Sequence, residues 1–405
     1  MIAYLQRHID LQIGIATILL LFIGLISVYS ATYDARASEI FFKQLTFAGV
    51  GALVVIGISL FPYRLLQTIS VPAWLFSLLL LVVVLLLGRT VSGSTSWFNL
   101  GAFRIQPSEF AKITTVLALA SYLSRSDISL RTPRGLLIAA GIVLAPVALI
   151  MMQPDFGTAV IYGGMSFAVI YWAGASRFTL LAIVAPAAAA MAALFGTTPF
   201  LIVVAVMGAL IYLTKEHRLV AAVVFSVMVL VGISVQFIYD GMKPYQQKRI
   251  DTFLDPGADP LGAGYNILQS KVAIGSGGFF GKGYLRGSQT QLNFIPEQWT
   301  DFIFCVPGEE FGFVGAATVL LLFAILLLRG VTLASKVKSK YASFVAIGIT
   351  ATIATHVFIN IGMALGLFPV IGVPLPFLSY GGSSLLSDAA IVGILMNLYT
   401  NRKEY

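Results

Sequence analysis

The sequence predicts an all-α, polytopic integral membrane protein of about twelve transmembrane helices with one long extracytoplasmic loop. Three observations predict it. Of 405 residues, 58% are hydrophobic and only 10% are charged, with a mean hydropathy of +0.93. The apolar residues fall in runs of roughly 20, the length that carries a helix across a hydrocarbon core. The runs are continuous rather than alternating, which excludes a closed barrel, the other backbone arrangement that satisfies its hydrogen bonds in lipid.

The first run, Leu11 to Ser30, is long enough to span and reads as a retained helix rather than a cleaved leader. Further spans are expected at about 41–61, 71–88, 108–124, 136–152, 157–174, 179–196, 199–214, 219–239, 302–328, 343–367 and 381–399. The chain reads as one membrane domain over residues 1–405, with no heptads or low-complexity linker. Thr197-Thr198 leaves almost no loop between 179–196 and 199–214. That pair reads as a tight helical hairpin, with a paired re-entrant element as the alternative. Both arms must cross or neither, because a single crossing would send Lys336 to Lys340 outside.

Lysine and arginine placement sets the topology. With both termini cytoplasmic, inside loops carry Arg64, the Arg125/Arg131/Arg134 cluster, Arg177, Lys215 with Arg218, Arg329 with Lys336/Lys338/Lys340, and Arg402 with Lys403. The outside links near 153–156, 197–198 and 368–380 carry none. The loop over 240–300 then lies outside. The net charge of +8 follows from these loops, so nucleic acid is not an expected partner. The single cysteine, Cys305, rules out an internal disulfide and reads as a small packed apolar group.

The candidate chemistry sits on the outside links. Asp301 stands where Gln289 to Thr300 turns into an apolar run, and a carboxylate at the lip of a membrane helix is a functional candidate by default. Glu297 lies one turn before it. In the Gly88–Lys112 link, Pro107 sets a helix start, Glu109 and Lys112 share a face at i and i+3, and Arg104 adds a third charge. This pair is either a buried salt bridge or a charged wall facing an anionic substrate, the second being preferred. Asp155 in Gln153-Pro-Asp-Phe-Gly-Thr158 is a helix cap, with cavity wall as a second role.

The long outside loop brings Lys248, Arg249, Lys271, Lys282 and Arg286, a short amphipathic helix over 266–274, and a glycine run from Gly275 to Gly283. A glycine run can offer backbone N–H groups to phosphate, so this loop is read as a diphosphate-binding surface rather than a merely solvated one. No strand precedes the run, so a nucleotide fold is rejected. Three prolines and several glycines break the helices over 360–384, where Ser379 and Tyr380 offer hydroxyls to a cavity. His356 reads as a packed helix histidine. No H-x-x-x-H or C-x-x-C pair supports zinc.

The stretches QPSEFAK (106–112), QPDFGTA (153–159), DPLGAGYNILQSKVAIGSGGFFGKG (259–283), QTQLNFIPEQWTDFIF (289–304), GEEFGFVG (308–315) and NIGMALGLFPVIGVPLPFLSYGGSS (360–384) together resemble the SEDS family of bacterial envelope polymerases, with RodA nearer than FtsW. They span most of the chain. The resemblance implies a peptidoglycan glycosyltransferase in the bacterial inner membrane that polymerises lipid II, a role in elongation, and a class B penicillin-binding transpeptidase as partner. It places the family's essential aspartate on Asp301. It also implies a core of ten helices, which makes the pair over 179–214 look inserted. Trp299 stands where the family usually has histidine.

The expected reaction is an inverting displacement: a sugar 4-hydroxyl, deprotonated by Asp301, attacks a lipid-linked sugar whose leaving group is an α-diphosphate. Arg104, Lys112, Arg249 and Lys271 are the expected cations for that diphosphate, with Glu109, Asp155, Glu297 and Ser379 completing the substrate site. No protein-held metal is expected, but Mg²⁺ or Mn²⁺ could accompany the phosphates. Two rival classes are a flippase for the lipid-linked precursor and a scaffold without catalysis. The first wants a midplane site, and the second leaves Asp301 unexplained.

Overall fold

The computed structural model describes residues 10–33, 37–91, 94–101, 103–130, 132–242, 244–255 and 264–402. In chain order the helices are α1 (Leu11–Ala31), α2 (Ala37–Ser59), α3 (Tyr63–Leu87), α4 (Pro107–Leu123), α5 (Pro133–Met152), α6 (Phe156–Trp172), α7 (Arg177–Leu194), α8 (Thr197–Leu213), α9 (Arg218–Asp240), α10 (Pro244–Leu254), α11 (Tyr265–Ser276), α12 (Ser288–Gln291), α13 (Cys305–Glu310), α14 (Gly312–Lys336), α15 (Lys340–Ala364) and α16 (Gly382–Thr400). Among the described residues, nine helices are long and apolar enough to cross a membrane: α1, α2, α3, α5, α7, α9, α14, α15 and α16. The shorter α4, α6 and α8 occupy the other three positions where the sequence places spans.

The helices begin where local chemistry starts them. Asp10 caps α1 through Gln12 N and Ile13 N, Thr132 caps α5 through Gly135 N, and Ser176 caps α7 through Thr179 N. Each side-chain oxygen satisfies a backbone donor that the helix leaves open. Arg329 reaches Asp10 Oδ2 with Nε at 3.1 Å and Nη2 at 2.6 Å, tying α14 to the start of α1.

α15 and α16 form the hub, with 78% of each span buried inside the protein against 12–33% for the other seven. Lipid cannot drive helices together by the hydrophobic effect, so close approach decides the packing. Small residues provide it: a Cβ on Gly330 of α14 would stand 2.1 Å from Thr350 Oγ1 of α15, and one on Gly348 2.6 Å from Val116 of α4. The hairpin read over 179–214 is α7 and α8. It packs with α9 around Ala185, Ala189, Ile211 and Met228, a cluster separate from the main core.

Three features depart from the sequence expectation. A small antiparallel sheet, β1 (Arg89–Val91), β2 (Ser94–Leu100) and β3 (Phe103–Ile105) in that order, adorns an otherwise helical chain. Its short Ser/Thr/aromatic strands are too brief to register as a pattern among long apolar runs. α10 was not anticipated. The span expected from 302 starts at Gly312, because the apolar run Phe302–Val306 folds into turns and the short α13, and Gly312 itself has φ +64.

The sheet, the 153–155 turn, residues 264–311 and the 365–381 connection gather at one end. Thr95 N donates to Gln153 O, Gln106 Nε2 to Asp155 Oδ2, and Tyr380 N to Trp299 O. The helix ends that carry Arg125, Arg134, Arg177, Lys215, Arg218, Lys336 and Lys340 lie at the other.

Candidate active site

Asp301 sits in the turn between α12 and α13, partly exposed, at the end of the molecule that holds the sheet. Its main chain is fixed from several directions. Asp301 N donates to Glu297 O at 3.1 Å. Trp299 O accepts from Tyr380 N at 2.8 Å, Thr300 O from Ser379 Oγ at 2.6 Å, and Asp301 O from Asn360 Nδ2 at 2.8 Å. Gly372, with φ +70, faces the carboxylate, and a Cβ there would lie 3.4 Å from Asp301 Oδ2. The same glycine lines a small cavity with Glu109, Thr158, Ile161, His356, Val373 and Pro374.

Behind that cavity lies a buried polar cluster. Lys112 Nζ donates to Glu109 Oε2 at 2.7 Å and to His356 Nε2 at 3.0 Å. His356 Nδ1 lies 3.1 Å from Pro374 O. A carbonyl only accepts, so Nδ1 carries the proton and Nε2 receives the ammonium. Asp388 of α16 is buried, accepts from Phe377 N, and lies within electrostatic reach of Glu109 and Lys112. Ser387 Oγ binds Glu109 O.

The glycine run and the GEEFGFVG stretch build one structure. A Cβ on Gly277 would stand 2.1 Å from Gly308 O, on Gly281 2.1 Å from Glu310 O, and on Gly312 2.3 Å from Gly281 N. Only glycine lets these backbones approach so closely. The run's N–H groups are used internally: Gly281 N on Gly277 O, Lys282 N on Glu309 O, Gly283 N on Glu310 O. Phosphate binding by these three amides is therefore corrected to a structural role.

Glu309, fully buried, accepts from Lys282 Nζ, Ser288 Oγ, Gln289 N, Thr290 N and Thr290 Oγ1. Burial pushes its carboxyl up, but Lys282 and the Gln289 and Thr290 donors outweigh it and hold the carboxyl below its ordinary value. Glu310 accepts from Ser30 Oγ, Leu285 N and Gln291 Nε2, and there burial wins and raises the carboxyl.

The other sequence candidates separate by geometry. Lys112 is 1% exposed and enclosed by Glu109 and His356, so direct contact with a diphosphate is corrected to a buried salt bridge. Ser379 is buried, and its hydroxyl accepts from Leu375 N and donates to Thr300 O. Its expected substrate contact is corrected to a backbone tie. Asp155 caps α6 through Thr158 N and Oγ1 and receives Gln106 Nε2. Burial raises its carboxyl against the opposing pull of Thr158. The Lys271 side chain packs on Gly366 at the C-terminus of α15, where a Cβ would stand 2.6 Å from Nζ. A cation there complements the helix dipole.

Arg104 is exposed on β3, with exposed Lys43 of α2 within electrostatic reach. Glu297 is exposed, has φ +54, and its Oε2 accepts from Thr300 Oγ1 at 3.3 Å. The Arg249 side chain and residues 259–263 of the DPLGAGYN stretch lie outside the described residues. No group of three or more His, Cys, Asp or Glu side chains that could hold a metal occurs among the described residues.

Sequence reasoning missed Asn360, Asp388 and Lys43, and read His356 as a packed helix histidine without its polar partners. Asp388 had a signal, being an acid inside an apolar helix. Asn360 and His356 lie four apart on α15, a spacing that places them on one face, but nothing local marks what that face meets.

A polytopic helical membrane protein with a rim carboxylate beside a buried Glu–Lys pair is the class defined by this fold and site. The chain matches the FtsW/RodA/SpoVE family, described as "Cell cycle protein", over residues 11–204 and 195–404, and it belongs to that family. It is 39% identical over 400 residues to stage V sporulation protein E of Bacillus subtilis, covering 96% of each chain. It is 34% identical over 409 residues to peptidoglycan glycosyltransferase RodA of Treponema pallidum, covering 93% of this chain and 94% of that one. A chain from the solved structure titled "Structural coordination of polymerization and crosslinking by a peptidoglycan synthase complex" superposes with a TM-score of 0.75 at 28% identity, covering 98% of this chain and 99% of the other.

Proposed function

We propose that this chain is a peptidoglycan glycosyltransferase that polymerises lipid II by inverting transfer at the outer face of the bacterial inner membrane, in the elongation pathway. One observation carries the reading: a partly exposed carboxylate, Asp301, on a turn whose three successive carbonyls are held by the rest of the fold. A fixed carboxylate at the rim of an apolar body suits an acceptor hydroxyl delivered by a lipid-anchored sugar. Asp301 takes the hydroxyl proton as the oxygen attacks the anomeric carbon and the diphosphate departs, a general-base contribution of about 10²–10⁴-fold.

Positive charge for the leaving diphosphate comes from the exposed Arg104, with Lys43, itself paired to Glu39 at 2.6 Å, within electrostatic reach. A divalent ion, where used, travels with the substrate phosphates. A class B penicillin-binding transpeptidase is the proposed partner, supported by the likeness to a chain of a peptidoglycan synthase complex. The basic loops support a cytoplasmic position for both termini. The polar groups of the site cluster at one end, which does not favour a flippase with a midplane site.

The test is purified protein given lipid II in detergent, with no bilayer to cross. Wild type makes glycan strands, and Asp301→Asn makes none while inserting and melting normally. Full turnover by Asp301→Asn would refute the assignment of the base.

A further inference from the structure

Three consecutive carbonyls, those of Trp299, Thr300 and Asp301, are bound by groups from a single stretch of chain, residues 360–380. Asn360 is completely buried and divides its two N–H bonds between Asp301 O at 2.8 Å and Val373 O at 2.7 Å. One helical turn earlier, His356 binds Pro374 O through Nδ1 and receives Lys112 through Nε2. The adjacent carbonyls of Val373 and Pro374 are therefore held by two side chains on one face of α15. Lys112 is in turn locked to Glu109. A continuous chain of contacts runs from the buried ion pair to the Asp301 peptide.

We propose that His356 and Asn360 are positioning residues, a relay through which the Glu109–Lys112 pair sets the placement of Asp301. The proposal rests on the reading of Asp301 as the base. Lys112, His356 and Asn360 are at most 4% exposed, so they act through their buried contacts to the 372–374 segment and the Asp301 carbonyl rather than on substrate.

The experiment uses the full chain in detergent with lipid II and four variants: His356→Leu, His356→Gln, Asn360→Leu, and the double leucine variant. A displacement of the base by about 1 Å costs about 10²-fold. Each leucine variant is expected to lose roughly that in kcat with KM little changed. His356→Gln keeps a donor for Pro374 O and an acceptor for Lys112, and is expected to restore most of the rate. The double variant is expected to be no worse than the more severe single one, because both break one chain.

Unchanged kcat, multiplicative losses, or a raised KM with kcat preserved would overturn the relay. So would collapse of the melting transition in both leucine variants without rescue by His356→Gln, which would mark a packing role. Hydrogen exchange at 297–303 separates this proposal from the functional one. Faster exchange in the leucine variants supports the relay even if wild type makes no glycan, and unaltered exchange sinks it whatever the activity.

Discussion

Replacing Glu309 by glutamine tests how the outer loop is held. The Glu309 carboxylate accepts at Oε1 from Lys282 Nζ at 2.7 Å, Ser288 Oγ at 3.3 Å and Gln289 N at 2.8 Å. At Oε2 it accepts from Thr290 N at 2.9 Å and Thr290 Oγ1 at 2.8 Å. A glutamine does least harm with its NH₂ in the Oε2 position. Thr290 Oγ1 can then rotate and accept, but Thr290 N cannot. One buried N–H left facing another donor costs about 1–3 kcal/mol. The bonds that remain lose their charge assistance, and the Lys282 pairing, discounted because that side chain is 27% exposed, adds a smaller amount. The total is roughly 3–5 kcal/mol.

At about 1.4 kcal/mol per decade, exchange at the Gln289 and Thr290 amides should accelerate by roughly two to three and a half decades. Hydrogen–deuterium exchange on peptides covering 285–291 measures it. Unchanged protection of those two amides in Glu309→Gln would refute the reasoning. The effect also has a pH signature. The folded carboxyl is held below its unfolded value, so its stabilisation is fully present above about pH 4.5 and is lost as pH falls through the lower folded value. The gap between wild type and Glu309→Gln should close in that acid window.

Further expectations concern other elements. Glu109→Ala strands the buried Lys112 ammonium and should destabilise by about 3–5 kcal/mol, lowering the melting temperature together with activity. A melt at the wild-type position with activity lost would instead favour a direct chemical role. Gly281→Ala drives a Cβ to 2.1 Å from Glu310 O and should abolish the folded outer loop, whereas Gly283→Ala meets nothing nearer than Arg286 Cδ at 3.4 Å. That second change should cost only the strain of its φ of +99, about 1–2 kcal/mol; equal melting of the two variants would count against close backbone approach. Cys305 is fully buried, and burial raises its thiol well above the ordinary value. A neutral maleimide at pH 7 should leave the folded protein unlabelled and react on denaturation.

The long helices were legible because lipid imposes one rule on every residue of a run, so hydropathy alone places α1 to α9 and α14 to α16 to within a few residues, apart from the early starts of α2 and α3 and the late start and late end of α14. That failure is informative. Phe302 to Val306 is as greasy as a span, but it lies beside two buried glutamates that draw their hydrogen bonds, among the described residues, from residues 282–291 and Ser30. Hydropathy records burial and cannot tell burial in protein from burial in lipid. The candidate site was legible in Asp301, Glu109 and Asp155 because an acid in such a chain is conspicuous. Ser379 and the glycine run were misread because their residue types suit a ligand and a backbone equally, and only the distances to Thr300 O and Glu310 O decide between them.

The same distances divide the outer end into groups that build it and groups that remain at its surface. Glu309, Glu310, Asp155 and Ser379 meet the fold through their side chains, each binding backbone donors or carbonyls that would otherwise be stranded. Asp301 has its main chain held as well. Its amide goes to Glu297 O and its carbonyl to Asn360, while the carboxylate stays partly exposed beside Gly372. A general base needs that combination, since it must sit within hydrogen-bond reach of the attacking oxygen and still present an oxygen to it. Arg104, Lys43 with its ion-pair partner Glu39, and Glu297 share the exposed class, so that end presents both acids and cations. A lipid-borne sugar diphosphate and an acceptor alcohol ask for those charges.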